Sequence, residues 1–329
     1  TNVLETLDLG GIPLRASERG EGDPLVFGGG PCAFNPEPYA PFFDAIFIGE
    51  GERADVEVAL LHRKLKAAGA TRAEVLRALS EVRGLYVPSL YEARRIELSD
   101  GLFYEVARPL DESVPKTVEK LVIQDFDAVK ALPEPIVPYN ELGHDRLAIE
   151  VLRGCNRGCR FCQAGMIYRP VRERNADTIV AAVAQGLACT GYDEVSLTSL
   201  SSTDHSTIVE QLRRLNRSFH GTGKSVSLPS QRVDAFGVEL ARLIAGEKKG
   251  GLTLAPEAGT QHLRDVINKG VNEEDLFNAV TSAFEAGWGS LKLYFMIGLP
   301  GETDEDVAGI GDLCKRVLWA ARDAVPEEQ

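Results

Sequence analysis

The chain of 329 residues is 44% hydrophobic and 26% charged, the balance of a globular protein with room for one large or two modest domains. Its formal charge of −13, from 36 basic and 49 acidic residues, excludes broad charge-driven binding to nucleic acid. No apolar run approaches a membrane span and no charged-then-apolar leader opens the chain, so no membrane partner is expected.

Two short apolar strands come first, PLVFGGG (24–30) and AIFIGEGE (45–52), each closed by glycines. That pattern suits the C-terminal edge of a parallel sheet. The Pro-rich GPCAFNPEPYAPFF between them reads as loop. Residues 54–80 carry Val58, Leu60, Leu61, Leu65, Val75, Leu76 and Leu79 at helical spacing, with a break at 69–71. Residues 85–108 alternate apolar and polar and predict strands of a small connecting sheet, and PEPIVP (133–138) reads as a linker. From about Arg146 the pattern becomes regular. Strands are predicted at 147–154, 194–202, 225–232, 251–258 and 290–298, with helices at 175–189, 206–219, 237–245, 273–287 and 304–325. Repeated strand–helix units predict a parallel α/β barrel or open sheet, with ligands at the strand C-termini. The expected division is 1–53, a helical and small-sheet connector at 54–140, and a core at 141–329. Thr1 stands where a Met would, and the text stops directly after the last helix, so a piece of a longer protein is expected.

Six cysteines are present, and three of them fall in RGCNRGCRFCQAG as Cys155-x-x-x-Cys159-x-x-Cys162. This spacing suits a metal site, not a disulfide framework, and implies a reducing, cytoplasmic setting. An iron–sulfur cubane has more irons than three thiolates can ligate, which leaves one open to a small molecule. Gly154 and Gly158 would let the loop wrap a cluster, and nearby arginines would depress the cysteine pKa values. The alternatives are a zinc site completed by His144 or a distant cysteine, and an electron-transfer cluster completed by Cys189 or Cys314. Those two sit in helical patterns and Cys32 in apolar surroundings, where a cysteine is usually a small core residue. Arg153, Arg157, Arg160, Arg169, Arg172 and Arg174 crowd the same segment, either pairing the excess carboxylates or forming an RNA-facing patch.

The strand-borne cysteine loop with its Phe161–Cys162 pair resembles the signature of the radical S-adenosylmethionine (SAM) superfamily, over about residues 146–325. The resemblance implies a [4Fe–4S] cluster on Cys155, Cys159 and Cys162 whose open iron is chelated by SAM. It further implies reductive cleavage of SAM to a 5′-deoxyadenosyl radical that modifies a substrate, with a reductant such as flavodoxin or ferredoxin. SAM contacts follow from the same resemblance. Ile297 and Gly298 of MIGLPGET (296–303) would back the adenine. Glu257 of LTLAPEAGT (252–260) would meet the ribose or amino group, and Ser230 and Arg232 of PSQRVD (229–234) the carboxylate or ribose. Read without it, GLPGET is a turn in which Glu302–Thr303 cap a helix, Glu257 pairs Arg264 or Lys269, and Arg232 pairs Asp234. TSLSST (198–203) departs from the family's Gly-Gly-Glu and leaves Ser199, Ser201 or backbone carbonyls to hold the amino group. His205 reads as a surface loop residue. One more strand is implied after the fifth, and the chain ends without it.

Residues 26–52 resemble the last two strands of a Rossmann-like cobalamin-binding domain, with Gly28, Gly29, Gly30 and Gly49 at the corrin edge of a complete protein. The Asp-x-His-x-x-Gly motif of such domains is absent, and a corrinoid-free domain is the preferred reading of this chain. The expected fold is therefore α/β: a partial (βα) barrel of radical SAM type behind the C-terminal part of a Rossmann-like domain. GGPCAFNPEP, YRPVRER and LAPEAGTQHLRDVINKG together resemble bacterial cobalamin-domain-type radical SAM proteins, with a core like that of the methylthiotransferases. Methylation or methylthiolation of RNA or protein is the outcome this implies. The competing reading is an iron–sulfur or electron-transfer protein, or an inactive fragment, without radical chemistry.

Overall fold

A computed structural model of the chain describes residues 2–131, 134–140, 142–245 and 252–325. The predicted linker and fourth strand begin at Pro133 and Gly251, which lie outside the described residues. The chain divides into two compact units, Thr1–Gln124 and Asp125–Gln329.

The first unit opens with α1 (Asn2–Leu9) and holds β1 (Phe27–Gly28), β2 (Ala45–Phe47), α2 (Ala54–Ala67), α3 (Arg72–Leu79) and β3 (Leu85–Tyr86). β1 and β2 are parallel, and β3 adds to β2 antiparallel. Ala45, Val58, Val75, Leu79 and Leu85 share one apolar cluster, so the 54–87 segment packs with the strands that precede it. Thr71 and Glu74 start α3 as a reciprocal capping box, which explains the break at 69–71. β4 (Tyr91–Glu97) and β5 (Phe103–Pro109) form a separate antiparallel hairpin. Gly49, at φ +111°, bridges Leu121; a Cβ there would stand 2.3 Å from the Leu121 carbonyl oxygen.

One buried carboxylate ties this unit together. Asp44 accepts from Arg19 Nη1 at 2.8 Å and Arg72 Nη2 at 2.7 Å. Further guanidinium N–H groups go to backbone carbonyls of Pro13, Leu14 and Phe42 for Arg19, and of Gly20, Asp23 and Pro24 for Arg72. A charge this deep is tolerated because every partner is supplied.

The second unit alternates as predicted. It runs β6 (Leu147–Glu150), β7 (Leu152–Arg153), α4 (Ala164–Ile167), β8 (Arg172–Glu173), α5 (Ala176–Thr190), β9 (Glu194–Thr198), α6 (Ile208–Phe219) and β10 (Ser225–Ser227). α7 (Val238–Ala245), β11 (Leu252–Glu257), α8 (Gln261–Val266), α9 (Glu273–Glu285), β12 (Leu291–Phe295) and α10 (Asp304–Asp323) follow. β6, β9 and β10 form a parallel sheet, and β11 pairs parallel with β12. Among the described residues no ladder joins β10 to β11, and the strands fall into two parallel groups. Inward residues Leu147, Ile149, Val195, Leu197, Leu252 and Leu254 meet Ile179, Leu212, Leu215, Leu276 and Leu313 of the helices in one core. α6 buries Ile208, Leu212, Leu215 and Phe219, the stripe of an amphipathic helix. No described helix is long and apolar enough to cross a membrane.

Candidate functional site

The cysteine loop leaves β7 through Gly154, at φ +95°. A Cβ there would meet the Pro170 and Tyr168 carbonyl oxygens at 2.6 and 2.7 Å, so the close return of the chain requires glycine. The loop is then fastened from several sides. Arg160 N donates to Ile267 O at 2.9 Å, and Asn268 Nδ2 to Gly158 O at 2.8 Å. Arg169 donates to the carbonyls of Cys155 and Arg157. Cys155, Cys159 and Cys162 are each half-buried free thiols. Burial pushes the Cys159 thiol up in pKa; the charges of Lys269 and Arg232 oppose this, and those of Cys162 and Cys155 add to it. Arginine therefore does not win at Cys159, contrary to the expectation from sequence. No three His, Cys, Asp or Glu side chains among the described residues converge on a single metal position. His144, the proposed zinc ligand, lies 2.8 Å from Arg146 through Nδ1.

The crowded arginines are structural staples. Arg153 pairs Glu150, Arg157 pairs Asp204, Arg160 donates to the Val266 carbonyl at the end of α8, and Arg169 to the Cys155 carbonyl of the loop. Arg172 donates to Pro170 and Tyr168 oxygens, and Arg174 to those of Glu150 and Val129. Pairing with carboxylates is seen for Arg153 and Arg157, while Arg160, Arg169, Arg172 and Arg174 donate to backbone carbonyls.

The strand ends surround this loop. After β9, Ser199 Oγ shares a hydrogen bond with Ser202 Oγ at 2.9 Å, and buried Ser201 donates to Asp204 at 2.8 Å. Asp204 was passed over in sequence, yet it joins the cysteine loop to the strand ends. Arg157 Nη2 meets it at 2.7 Å. Burial raises the Asp204 pKa, but bonds from Arg157 and Ser201 and the charges of Arg157 and Arg232 outweigh that and hold it below the usual carboxylate range. After β10, Ser230 O accepts from Ser202 N at 2.9 Å, and Arg232 N donates to Thr203 Oγ1 at 3.1 Å. Arg232 Nε pairs Asp234 at 2.8 Å. Its Nη2 is buried and has no hydrogen-bond partner among the described residues. The neighbouring Gln231, also passed over in sequence, has its amide oxygen buried without a donor.

At the end of β11, Glu257 sits at φ +69° beside a register shift and accepts from Lys269 Nζ at 3.0 Å. Arg264, the other partner considered, instead binds Ala258 O, Gln261 and Glu273, with 1% of its side chain exposed. Met296 N donates to Glu257 O at 2.8 Å, which joins the end of β12 to this strand. Ile297 is 72% exposed, and Gly298, at φ +88°, donates its N–H to Glu302. Thr303 and Asp306 cap α10 reciprocally, so Thr303 is the cap and Glu302 closes the turn instead.

Two further expectations are corrected. His205 is buried, because Nε2 meets Arg174 O at 2.9 Å and Nδ1 accepts from Thr207 N. It is a structural residue under the site. Cys32, Cys189 and Cys314 are exposed, not core, and lie on three separate elements. In the first unit Gly28, Gly29, Gly30 and Gly49 do line a cavity of about 830 Å³ with Phe27, Phe47 and His62. Gly49 is required there by Leu121, and a Cβ on Gly28 would come within 3.0 Å of the Phe43 ring.

Comparison with known proteins gives this geometry its class. The model of the radical SAM superfamily matches residues 149–314, and that of the N-terminal region of radical SAM proteins matches residues 1–88. The chain belongs to the radical SAM superfamily, a family of enzymes that use a [4Fe–4S] cluster and SAM.

The uncharacterized protein MJ0966 of Methanocaldococcus jannaschii is 32% identical over 89% of this chain and 56% of its own length. The tRNA-2-methylthio-N(6)-dimethylallyladenosine synthase of Pelotomaculum thermopropionicum is 26% identical over 64% of the chain and 49% of the synthase. The chain thus spans about half the length of these relatives. Among solved structures, the radical SAM methyltransferase TsrM of Kitasatospora setae, with cobalamin and a [4Fe–4S] cluster bound, has the same fold. It gives a TM-score of 0.57 at 17% identity, over 89% of this chain and 55% of that one.

Proposed function

We propose that the second unit is the cofactor-binding core of a radical SAM enzyme whose longer form modifies RNA or protein. The observation that carries this is one juxtaposition. Cys159, in a loop that carries three thiols, lies within electrostatic reach of Arg232, whose buried Nη2 has no hydrogen-bond partner among the described residues. Cys155, Cys159 and Cys162 would hold three irons of the cluster. Arg232 Nη2 suits the SAM carboxylate, since a buried donor without an acceptor costs about 1–3 kcal/mol. Ser230, Ser199 and Glu257 line the same strand ends and would meet the polar parts of SAM; Ile297 and Gly298 would meet its adenine. When bound, the two cofactors supply a 5′-deoxyadenosyl radical. The protein's own part is to hold the loop rigid through Arg157, Arg160, Arg169 and Asn268, and to keep Arg232 aimed through Asp234.

Methylation and methylthiolation are the two outcomes proposed. Methylthiolation would call on a second set of cysteines, and Cys32, Cys189 and Cys314 are dispersed. The six free cysteines support a reducing, cytoplasmic setting. No step runs through a corrinoid, because packing against Leu121 and Phe43 already accounts for Gly49 and Gly28. The test is anaerobic reconstitution followed by dithionite and SAM. 5′-Deoxyadenosine should accumulate with the wild-type chain and not with Cys159→Ala; a cluster-replete wild type that forms none would refute the enzyme reading.

A further inference from the structure

Lys269 enters the sequence reading only as a candidate partner for Glu257. In the fold it is built into the cysteine loop's support. Its backbone N–H donates to Arg264 O at 2.9 Å, which fixes it at the end of α8. The three residues before it grip the loop: Val266 and Ile267 accept from Arg160, and Asn268 donates to Gly158. Its ammonium bonds Glu257 Oε1 at 3.0 Å, with side chains 15% and 16% exposed, and lies 5.9 Å from the centroid of the Phe161 ring. Glu257 holds that bond from a left-handed backbone conformation that non-glycine residues rarely adopt. A positive charge is thus held, largely out of water, beside the residue that precedes Cys162.

We propose that Lys269 is a positioning residue that sets the reduction potential of the cluster, with Glu257 keeping its ammonium in station. This rests on reading Cys155, Cys159 and Cys162 as cluster ligands. Reduction by one electron from an external reductant adds a negative charge to the cluster and breaks no bond. A fixed ammonium in a partly desolvated site stabilises that added charge. Glu257, 3.0 Å from the ammonium, cancels part of its field. The two residues therefore have opposite effects.

The experiment is a potentiometric dithionite titration of the reconstituted chain, followed by electron paramagnetic resonance, with iron and sulfide counted for each variant. Lys269→Met should weaken reduction about tenfold, a shift of about 59 mV to more negative potential for a one-electron couple. Glu257→Gln should shift it the other way, and Lys269→Arg should stay near the wild type. If Lys269→Met fails to load a cluster, the Glu257→Gln shift decides alone. A fully loaded Lys269→Met or Glu257→Gln with the wild-type potential overturns the inference and leaves the cluster standing. A wild-type chain that takes up no iron and sulfide overturns both.

Discussion

Each unit sets a carboxylate among arginines, fully buried at Asp44 in the first and half-buried at Asp204 in the second. In the first unit, Arg19 and Arg72 close on Asp44 and donate further N–H groups to backbone carbonyls. In the second, Arg157 closes on Asp204, while Arg232 beside it pairs Asp234 and keeps a buried nitrogen without an acceptor among the described residues. The first is a finished staple. The second is the same construction with a donor left for something else, and it lies next to Cys159. Between these two arginine clusters, the unmatched Arg232 nitrogen is the difference that points to a ligand.

The contrast can be broken in order of expected effect. Asp44→Ala leaves two buried guanidiniums without their anion and should cost about 3–5 kcal/mol of stability, read by denaturant unfolding of the first unit's signal. Asp204→Asn should cost less, about 1.5–3 kcal/mol for its charged hydrogen bonds. It should also change the acid limb. Because the folded Asp204 pKa lies below the ordinary carboxylate value, its contribution is present above that value and is lost as pH falls through the folded pKa. The variant should therefore lose less stability than the wild type between neutral pH and acid. Arg232→Met should leave folding nearly intact and weaken SAM binding to the reconstituted chain roughly 10–100-fold, measured by equilibrium dialysis. Equal losses of stability from Asp44→Ala and Arg232→Met, with SAM affinity untouched, would erase the distinction between staple and site. Smallest, Thr303→Ala should cost about 1 kcal/mol through loss of the α10 cap, with SAM affinity unchanged.

Much of the fold was legible because its elements obey simple periods. The strands from 147 and the helices from 175 to 325 follow from alternation and from stripes such as Ile208, Leu212, Leu215 and Phe219. The cysteine loop was legible from spacing alone. What stayed hidden depends on partners far along the chain. Asp204 meets Arg157 across 47 positions, and His205 is buried because Arg174 O, 31 positions upstream, accepts from it. Lys269 was in view only as a pair for Glu257, since its approach to Phe161 is a property of packing. The vacant hydrogen bond of Arg232 has no sequence signal at all: Asp234 two residues on is visible, and the lack of a second acceptor is not.

The central claim, that Cys155, Cys159 and Cys162 hold a cubane cluster, is tested most directly by counting iron and acid-labile sulfide in the anaerobically reconstituted chain, with Cys159→Ala alongside. The account predicts about four of each per wild-type chain and a large loss of both in the variant. Tightly held metal without sulfide, or undiminished iron in Cys159→Ala, would contradict it.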